Sequence, residues 1–133
     1  DVIHTQNQLI QTLKGLTHIA FVPTMGNLHE GHIKLIQEAS KVSRNIVVSI
    51  FINPLQFNSK EDFKNYPRTL KEDLSILKEL DISFVFAPSE EDILDSLENI
   101  ELVCIDGLES LVGNRAWEVG LFNLLVIVKA LIL

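Results

Sequence analysis

The sequence has few of the residues that mark secreted or nucleic-acid-binding proteins. Cys104 is the single cysteine among 133 residues, which excludes an intrachain disulfide and fits a reducing, cytosolic compartment. Acidic residues outnumber basic ones by 18 to 11, for a net charge of −7. Such a chain has no basic excess to neutralise phosphates, so we expect no binding to DNA or RNA.

Long apolar runs are also absent. The most apolar stretch, residues 121–133, is shorter than the roughly 20 residues that cross a bilayer, and Lys129 interrupts it. The first residues are polar and do not resemble a secretion signal. We therefore expect a cytoplasmic protein that does not enter a membrane. A hydrophobic content of 47% over this length is enough for the core of one domain.

Helical and strand patterns alternate along the chain. Apolar residues at helical spacing predict helices over residues 5–15, from residue 33 to Asn45, and after Thr69. Thr69 and Glu72 have the spacing of a capping box at the start of the third helix. Runs rich in β-branched residues predict strands over residues 18–24, 45–52, 82–88 and 101–106.

This alternation predicts an α/β fold, a Rossmann-like open parallel sheet with helices on both faces. We expect the strand over residues 18–24 to be central. The loops that follow the carboxyl ends of parallel strands meet at one edge of the sheet, where ligands bind.

The segment PTMGNLHEGH, residues 23–32, lies where the first predicted strand meets a helix. Gly26 and Gly31 let the backbone approach a ligand, and free N–H groups at the helix start could face an anion. His29 and His32 are three residues apart, so both side chains can face one ligand. On spacing alone, a tight turn with two incidental histidines is an equal alternative. A zinc pair is disfavoured because no third ligand is evident.

Three motifs in register carry a resemblance to a known family. Residues 29–32 form the HxGH signature of the nucleotidyltransferase superfamily. The longer string FVPTMGNLHEGH, together with SIFINPLQFN (residues 49–58) and EDFKNYPRTLKED (residues 61–73), resembles the pantothenate synthetase (pantoate–β-alanine ligase) family.

The resemblance implies an ATP-dependent ligase that joins pantoate to β-alanine through a pantoyl-adenylate. ATP with Mg²⁺ would be a substrate, and no tightly bound cofactor or protein-held metal is implied. His32 would be the catalytic proton donor, with His29 as its phosphate-facing companion. Gln56 would bind pantoate and β-alanine, with Asn53 as a helper. The implied ATP contacts are Met25, Gly26, Asn27, Leu28, His29, Glu30, Gly31 and His32. A homodimer is compatible with the resemblance.

The roles of some residues and the class of protein have alternatives that the sequence leaves open. Arg68 could reach a phosphate or have a surface role at the entry of a helix, and Asp73 is expected on a solvated helix face rather than on magnesium. Residues 112–123 depart from the family pattern, with Leu121 in place of a histidine. The resemblance implies that residues 1–133 are an incomplete, truncated N-terminal nucleotide-binding domain without the C-terminal domain. The alternatives are another HxGH nucleotidyltransferase or a non-catalytic nucleotide-binding remnant.

Overall fold

Strands and helices alternate in the computed structural model of the chain, which describes residues 1–92. The four strands are β1 Val2–Ile3, β2 Ile19–Thr24, β3 Asn45–Ile50 and β4 Phe84–Phe86. The helices are α1 Gln6–Leu13, α2 Glu30–Val42, α3 Lys60–Asn65 and α4 Leu70–Glu79, and a single 3₁₀ turn spans Pro54–Gln56. The predicted strand over residues 101–106 and the divergent residues 112–123 lie outside the described residues.

All the described strands are parallel, in the order β1-β4-β3-β2. The parallel sheet is confirmed, but the prediction that residues 18–24 are central is wrong for residues 1–92, where β2 is an edge strand. Burial explains the difference, because five of the six residues of β3 are buried and only two of the six in β2. Both runs are apolar in sequence, so composition did not separate the central strand from the edge strand.

Helices cover both faces of the sheet, as predicted. On one face α1 contributes Leu9 and Leu13 to a cluster that includes Val47 of β3. On the other face, Ile36 of α2 and Leu77 of α4 pack against a cluster that contains the next residue of β3, Val48. Successive side chains of a strand point to opposite faces, so β3 supplies both cores and anchors the loops at its carboxyl end.

The helices differ from the sequence expectations in several respects. Helix α2 ends at Val42, before Asn45, which already belongs to β3. Thr69 is the residue before α4, but it makes no side-chain cap, so the capping box predicted with Glu72 is wrong. Helix α3 was not predicted because it has only six residues and no buried position. Within residues 1–92, no helix is long and apolar enough to span a membrane.

Candidate functional site

The loops after β2 and β3 leave the sheet at the same edge. The parallel register pairs Thr24 with Ile50 at the end of both strands, and the amide of Phe51 donates to the carbonyl of Thr24 at 3.1 Å. The histidine loop and the loop that contains Gln56 therefore start side by side, as sequence reasoning predicted for the ligand edge of an open parallel sheet.

A tight turn connects β2 to α2. The Thr24 hydroxyl donates to the carbonyl of Ser49 at 2.7 Å and accepts the amide of Gly26 at 3.1 Å. Gly26 has φ 75° and Asn27 has φ 52°. A Cβ at Gly26 would lie 2.9 Å from Asp73 Oδ2 and 3.2 Å from Ile50 Cγ2. Only glycine fits this position, because it tolerates both the left-handed backbone and the close approach.

Asp73 of α4 lies beneath this turn. Its side chain is 2% exposed, so the expectation of a solvated helix face is wrong. Asp73 lies one helical turn before the buried Leu77, and this i, i+4 spacing is the sequence signal that could have indicated a buried face. The identity of the residues that would pair with a buried carboxylate was not visible in the local pattern.

The two histidines cap α2 reciprocally. His29, the residue before the helix, accepts the amide of Gly31 on its Nδ1 at 3.0 Å. His32 accepts the amide of His29 on its Nδ1 at 3.2 Å, and the two ring centroids are 4.1 Å apart. An Nδ1 that accepts a hydrogen bond carries no proton, so the neutral rings carry theirs on Nε2. Each ring therefore has an Nε2–H donor, and neither Nε2 has a partner within residues 1–92.

The backbone amides of the loop are largely engaged inside the chain. Those of residues 26, 27, 28, 29 and 31 donate to protein oxygens or to imidazole nitrogens. Sequence reasoning expected free amides at the helix start, and for residues 29 and 31 that expectation is wrong. The donors that the loop has left for an anion are mainly its imidazoles.

The surroundings favour a neutral His32. Burial of the ring lowers the pKa of His32, the neighbouring His29 lowers it further, and the Asp73 carboxylate opposes both effects. Burial, followed by the charge of Asp73, raises the pKa of Tyr66. Because a neutral His32 keeps its Nδ1 lone pair for the amide of His29, the cap and the outward Nε2–H are maintained together.

An open cleft of about 330 Å³ lies next to the turn. Of the predicted site residues, Met25 and Gly26 line the cleft, whereas His29, His32, Asn53 and Gln56 do not. Asn53 is only 1% exposed and its carbonyl accepts the amide of Gln56 at 3.2 Å. The cleft is lined by Met25, Gly26, Ile50, Phe51, Ile52, Pro67, Arg68, Thr69, Leu70, Asp73, Ala87, Pro88 and Glu90.

Arg68 lines the cleft, and its guanidinium is engaged at the carboxyl end of α3 rather than at the entry of a helix. Its Nη1 donates to the carbonyls of Phe63, Lys64 and Tyr66 at 3.2, 3.2 and 2.9 Å, and its guanidinium carbon lies 5.0 Å from the centre of the Phe63 ring. These carbonyls close α3, where cations are favourable. Among residues 1–92, no group of three or more histidine, cysteine or acidic side chains could hold a metal ion.

A parallel α/β sheet with a glycine turn and a paired HxGH at its carboxyl edge defines the class as a fold of the HxGH nucleotidyltransferase type. The family model for pantoate-beta-alanine ligase matches residues 1–129. The chain belongs to the pantoate-beta-alanine ligase family.

Relatives and solved structures agree with this membership. Pantothenate synthetases from Neisseria meningitidis serogroup C / serotype 2a and from Nitrosococcus oceani are 50% identical over 97 residues and 48% identical over 94 residues. These matches cover 73% and 70% of this chain but only 35% and 33% of the relatives, so the chain spans about a third of their length.

Two crystal structures have the same fold. Pantoate-beta-alanine ligase from Francisella tularensis, complexed with beta-gamma ATP and beta-alanine, is 33% identical with a TM-score of 0.74. The enzyme from Thermus thermophilus is 32% identical with a TM-score of 0.69. Both matches cover 98% of this chain, and 51% and 48% of those chains respectively.

Proposed function

We propose that this chain supplies the nucleotide-binding part of a pantoate–β-alanine ligase. In the first step the pantoate carboxylate attacks the α-phosphorus of ATP, which forms pantoyl-adenylate and releases pyrophosphate. In the second step the β-alanine amine attacks the acyl carbon, which forms pantothenate and releases AMP and a proton. Mg²⁺ enters with ATP as part of the substrate.

The observation that carries this proposal is the orientation of the two imidazoles at the start of α2. Both rings use Nδ1 for the helix cap and keep Nε2–H for a ligand. Two such donors at a positive helix end suit the oxygens of a triphosphate. Negative charge grows on the departing pyrophosphate, so a hydrogen bond from His32 strengthens in the transition state and contributes more to the rate than to ATP affinity.

The substrate carboxylic acids would lie next to this loop, in and beside the cleft lined by Met25 and Gly26. The ligase from Francisella tularensis was crystallised with beta-gamma ATP and beta-alanine, which supports ATP and β-alanine as the ligands. Gln56 is proposed to contact pantoate and β-alanine, because an amide both donates to a carboxylate and accepts from a hydroxyl. Asn53, which is buried beside it, is proposed as its helper.

The test measures ATP binding to the 133-residue chain by isothermal titration and by thermal shift, with and without pantoate. The His29→Asn variant removes the Nε2–H and keeps an acceptor for the cap. His18→Asn is the matched control, because His18 is exposed and its φ of 53° suits asparagine. We expect ATP to stabilise the native chain and the control by more than it stabilises His29→Asn. Equal ATP binding by all three proteins, or by none, contradicts the proposed site.

A further inference from the structure

Asp73 connects α4 to the turn that precedes α2, across 45 and 46 positions of the chain. Its Oδ2 accepts the amide of Asn27 at 3.0 Å, and its Oδ1 accepts the amide of Leu28 at 2.9 Å. The hydroxyl of Thr69 donates to Oδ2 at 3.1 Å. A single carboxylate thus binds two consecutive amides of the loop, one with each oxygen.

These three hydrogen bonds account for the burial of a charged group. A carboxylate that is 2% exposed is strongly destabilising unless hydrogen bonds within the protein replace those it made to water. Backbone amides and a hydroxyl are the donors that do so here. They also explain why Thr69 does not cap α4, since its hydroxyl turns to Asp73 instead.

The held amides belong to the part of the loop with the least favourable backbone. Gly26 and Asn27 both have positive φ, and such residues persist only where the surroundings impose the conformation. His29 follows directly as the residue before α2, so the direction of the loop at residues 27 and 28 decides where its imidazole stands. His32, one turn on, is tied to the backbone of His29 by the reciprocal cap.

We propose that Asp73 is a positioning residue for the nucleotide loop: its carboxylate holds the amides of Asn27 and Leu28 and thereby sets the positions of the two imidazoles. Identifying the ligand as ATP rests on the proposed function, whereas the link between Asp73 and the loop does not. Asp73 acts through the loop and is not itself a ligand of the nucleotide.

The charge of Asp73 also reaches the imidazole that it positions. The groups that influence His32 are His29 at the start of the same helix and Asp73 on α4. The phenol of Tyr66, just before α4, also lies within the electrostatic range of Asp73. The carboxylate raises the pKa of His32, against the effects of burial and of His29. This electrostatic effect gives the experiment a readout that a purely structural role would not change.

The test compares Asp73→Asn with the matched control Glu72→Gln in the 133-residue chain. Asparagine keeps the shape of Asp73 but replaces one acceptor by an N–H donor, which opposes a loop amide. Glu72 is the neighbouring residue of the same helix, is exposed, and loses the same charge. Three quantities are measured in each protein by NMR and calorimetry: amide hydrogen exchange at Asn27 and Leu28, the titration midpoint of the His32 ring, and the Kd for MgATP.

In Asp73→Asn, we expect exchange at Asn27 or Leu28 to be at least about 10-fold faster, because the amide of one of them loses its acceptor. The midpoint of His32 should move to lower pH. The Kd should rise about 10-fold, since the apparent Kd grows as the fraction of chains with a competent loop falls. Glu72→Gln should change none of the three. If the amide exchange, the His32 midpoint and the Kd of Asp73→Asn all match those of the native chain, the positioning role is overturned.

Two measurements keep the proposal testable if Asp73→Asn does not fold. In the native chain, the amides of Asn27 and Leu28 should both exchange slowly because Asp73 accepts them, and unprotected exchange at both overturns the proposal. In Thr69→Val, Asp73 Oδ2 loses one donor, but the amides of Asn27 and Leu28 both keep their acceptor. The slow exchange of these two amides should therefore persist, and its complete loss contradicts the proposal. If the native chain binds no MgATP, the proposed function fails, while exchange and the His32 midpoint still decide the role of Asp73.

Discussion

Replacing His29 separates the two roles that the structure gives to its ring. Nδ1 caps α2 by accepting the amide of Gly31 at 3.0 Å, and Nε2–H remains for the ligand. Asparagine at residue 29 keeps an acceptor at the position of Nδ1 and has no counterpart of Nε2–H. Alanine loses both. Because His29 lies outside the helix with extended backbone, the helix propensities of alanine and asparagine do not enter the comparison.

The magnitudes follow from the two kinds of bond. Loss of the N-cap in His29→Ala should lower the free energy of unfolding by about 1 kcal/mol, which corresponds to a Tm decrease of roughly 4 °C for a domain of this size. His29→Asn should keep the native stability within about 0.5 kcal/mol. A hydrogen bond to a charged phosphate contributes about 1.5–3 kcal/mol, so both variants should bind ATP about 10- to 150-fold more weakly.

The assay is calorimetric titration with MgATP together with denaturant unfolding of the ligand-free chain. The predicted pattern is equal loss of affinity in both variants, with loss of stability only in His29→Ala. Native affinity in His29→Asn would refute the contact between the imidazole and the nucleotide. Equal stability of the two variants would refute the capping role of Nδ1.

Three further predictions concern pH, the glycine turn and catalysis. The pKa of His32 is lower in the folded chain than in the unfolded chain, where it is near 6.5. The contribution of the neutral ring to the free energy of unfolding is therefore complete above pH 6.5 and is lost as pH falls through the folded pKa. Urea unfolding between pH 7.5 and 5.5 should show this decrease in stability, and the decrease should be smaller in His32→Asn. Gly26→Ala should lower the free energy of unfolding by at least about 1 kcal/mol more than Gly15→Ala. Both glycines have positive φ, but only at Gly26 would the added Cβ meet a side chain, at 2.9 Å, and thermal melts of the two variants check this difference. The 133-residue chain alone should form pantothenate far more slowly than a ligase of the relatives' length, because groups on both sides of the nucleotide align the reactants; AMP formation at comparable rates contradicts this.

Local patterns were sufficient for most of the architecture and for the position of the histidine loop after β2. The apolar runs at 18–24, 45–52 and 82–88 contain β2, β3 and β4, and helical spacing located α1, α2 and α4. The histidine spacing of three residues and the glycine turn after β2 were also readable, because capping and left-handed backbone depend on neighbouring residues.

Short elements escaped prediction because few residues carry their signal. Strand β1 has two residues, and its partner β4 lies more than 80 residues away. Helix α3 is held by contacts that periodicity does not report, namely the Ser59 hydroxyl at its start and the Arg68 guanidinium at its end. Both elements depend on particular hydrogen bonds rather than on a repeating apolar face.

The sequence by itself determined that this is an α/β chain with a glycine turn and two histidines at the start of a helix, since helix period, strand composition and turn chemistry are properties of adjacent residues. Tertiary structure alone decided that β3 lies inside the described sheet and β2 at its edge, because strand order depends on which faces are covered. It also decided that Asp73 is buried beneath the turn. A carboxylate on an amphipathic helix finds its donors only when the folded chain brings Asn27 and Leu28 to it, and no local pattern encodes that approach.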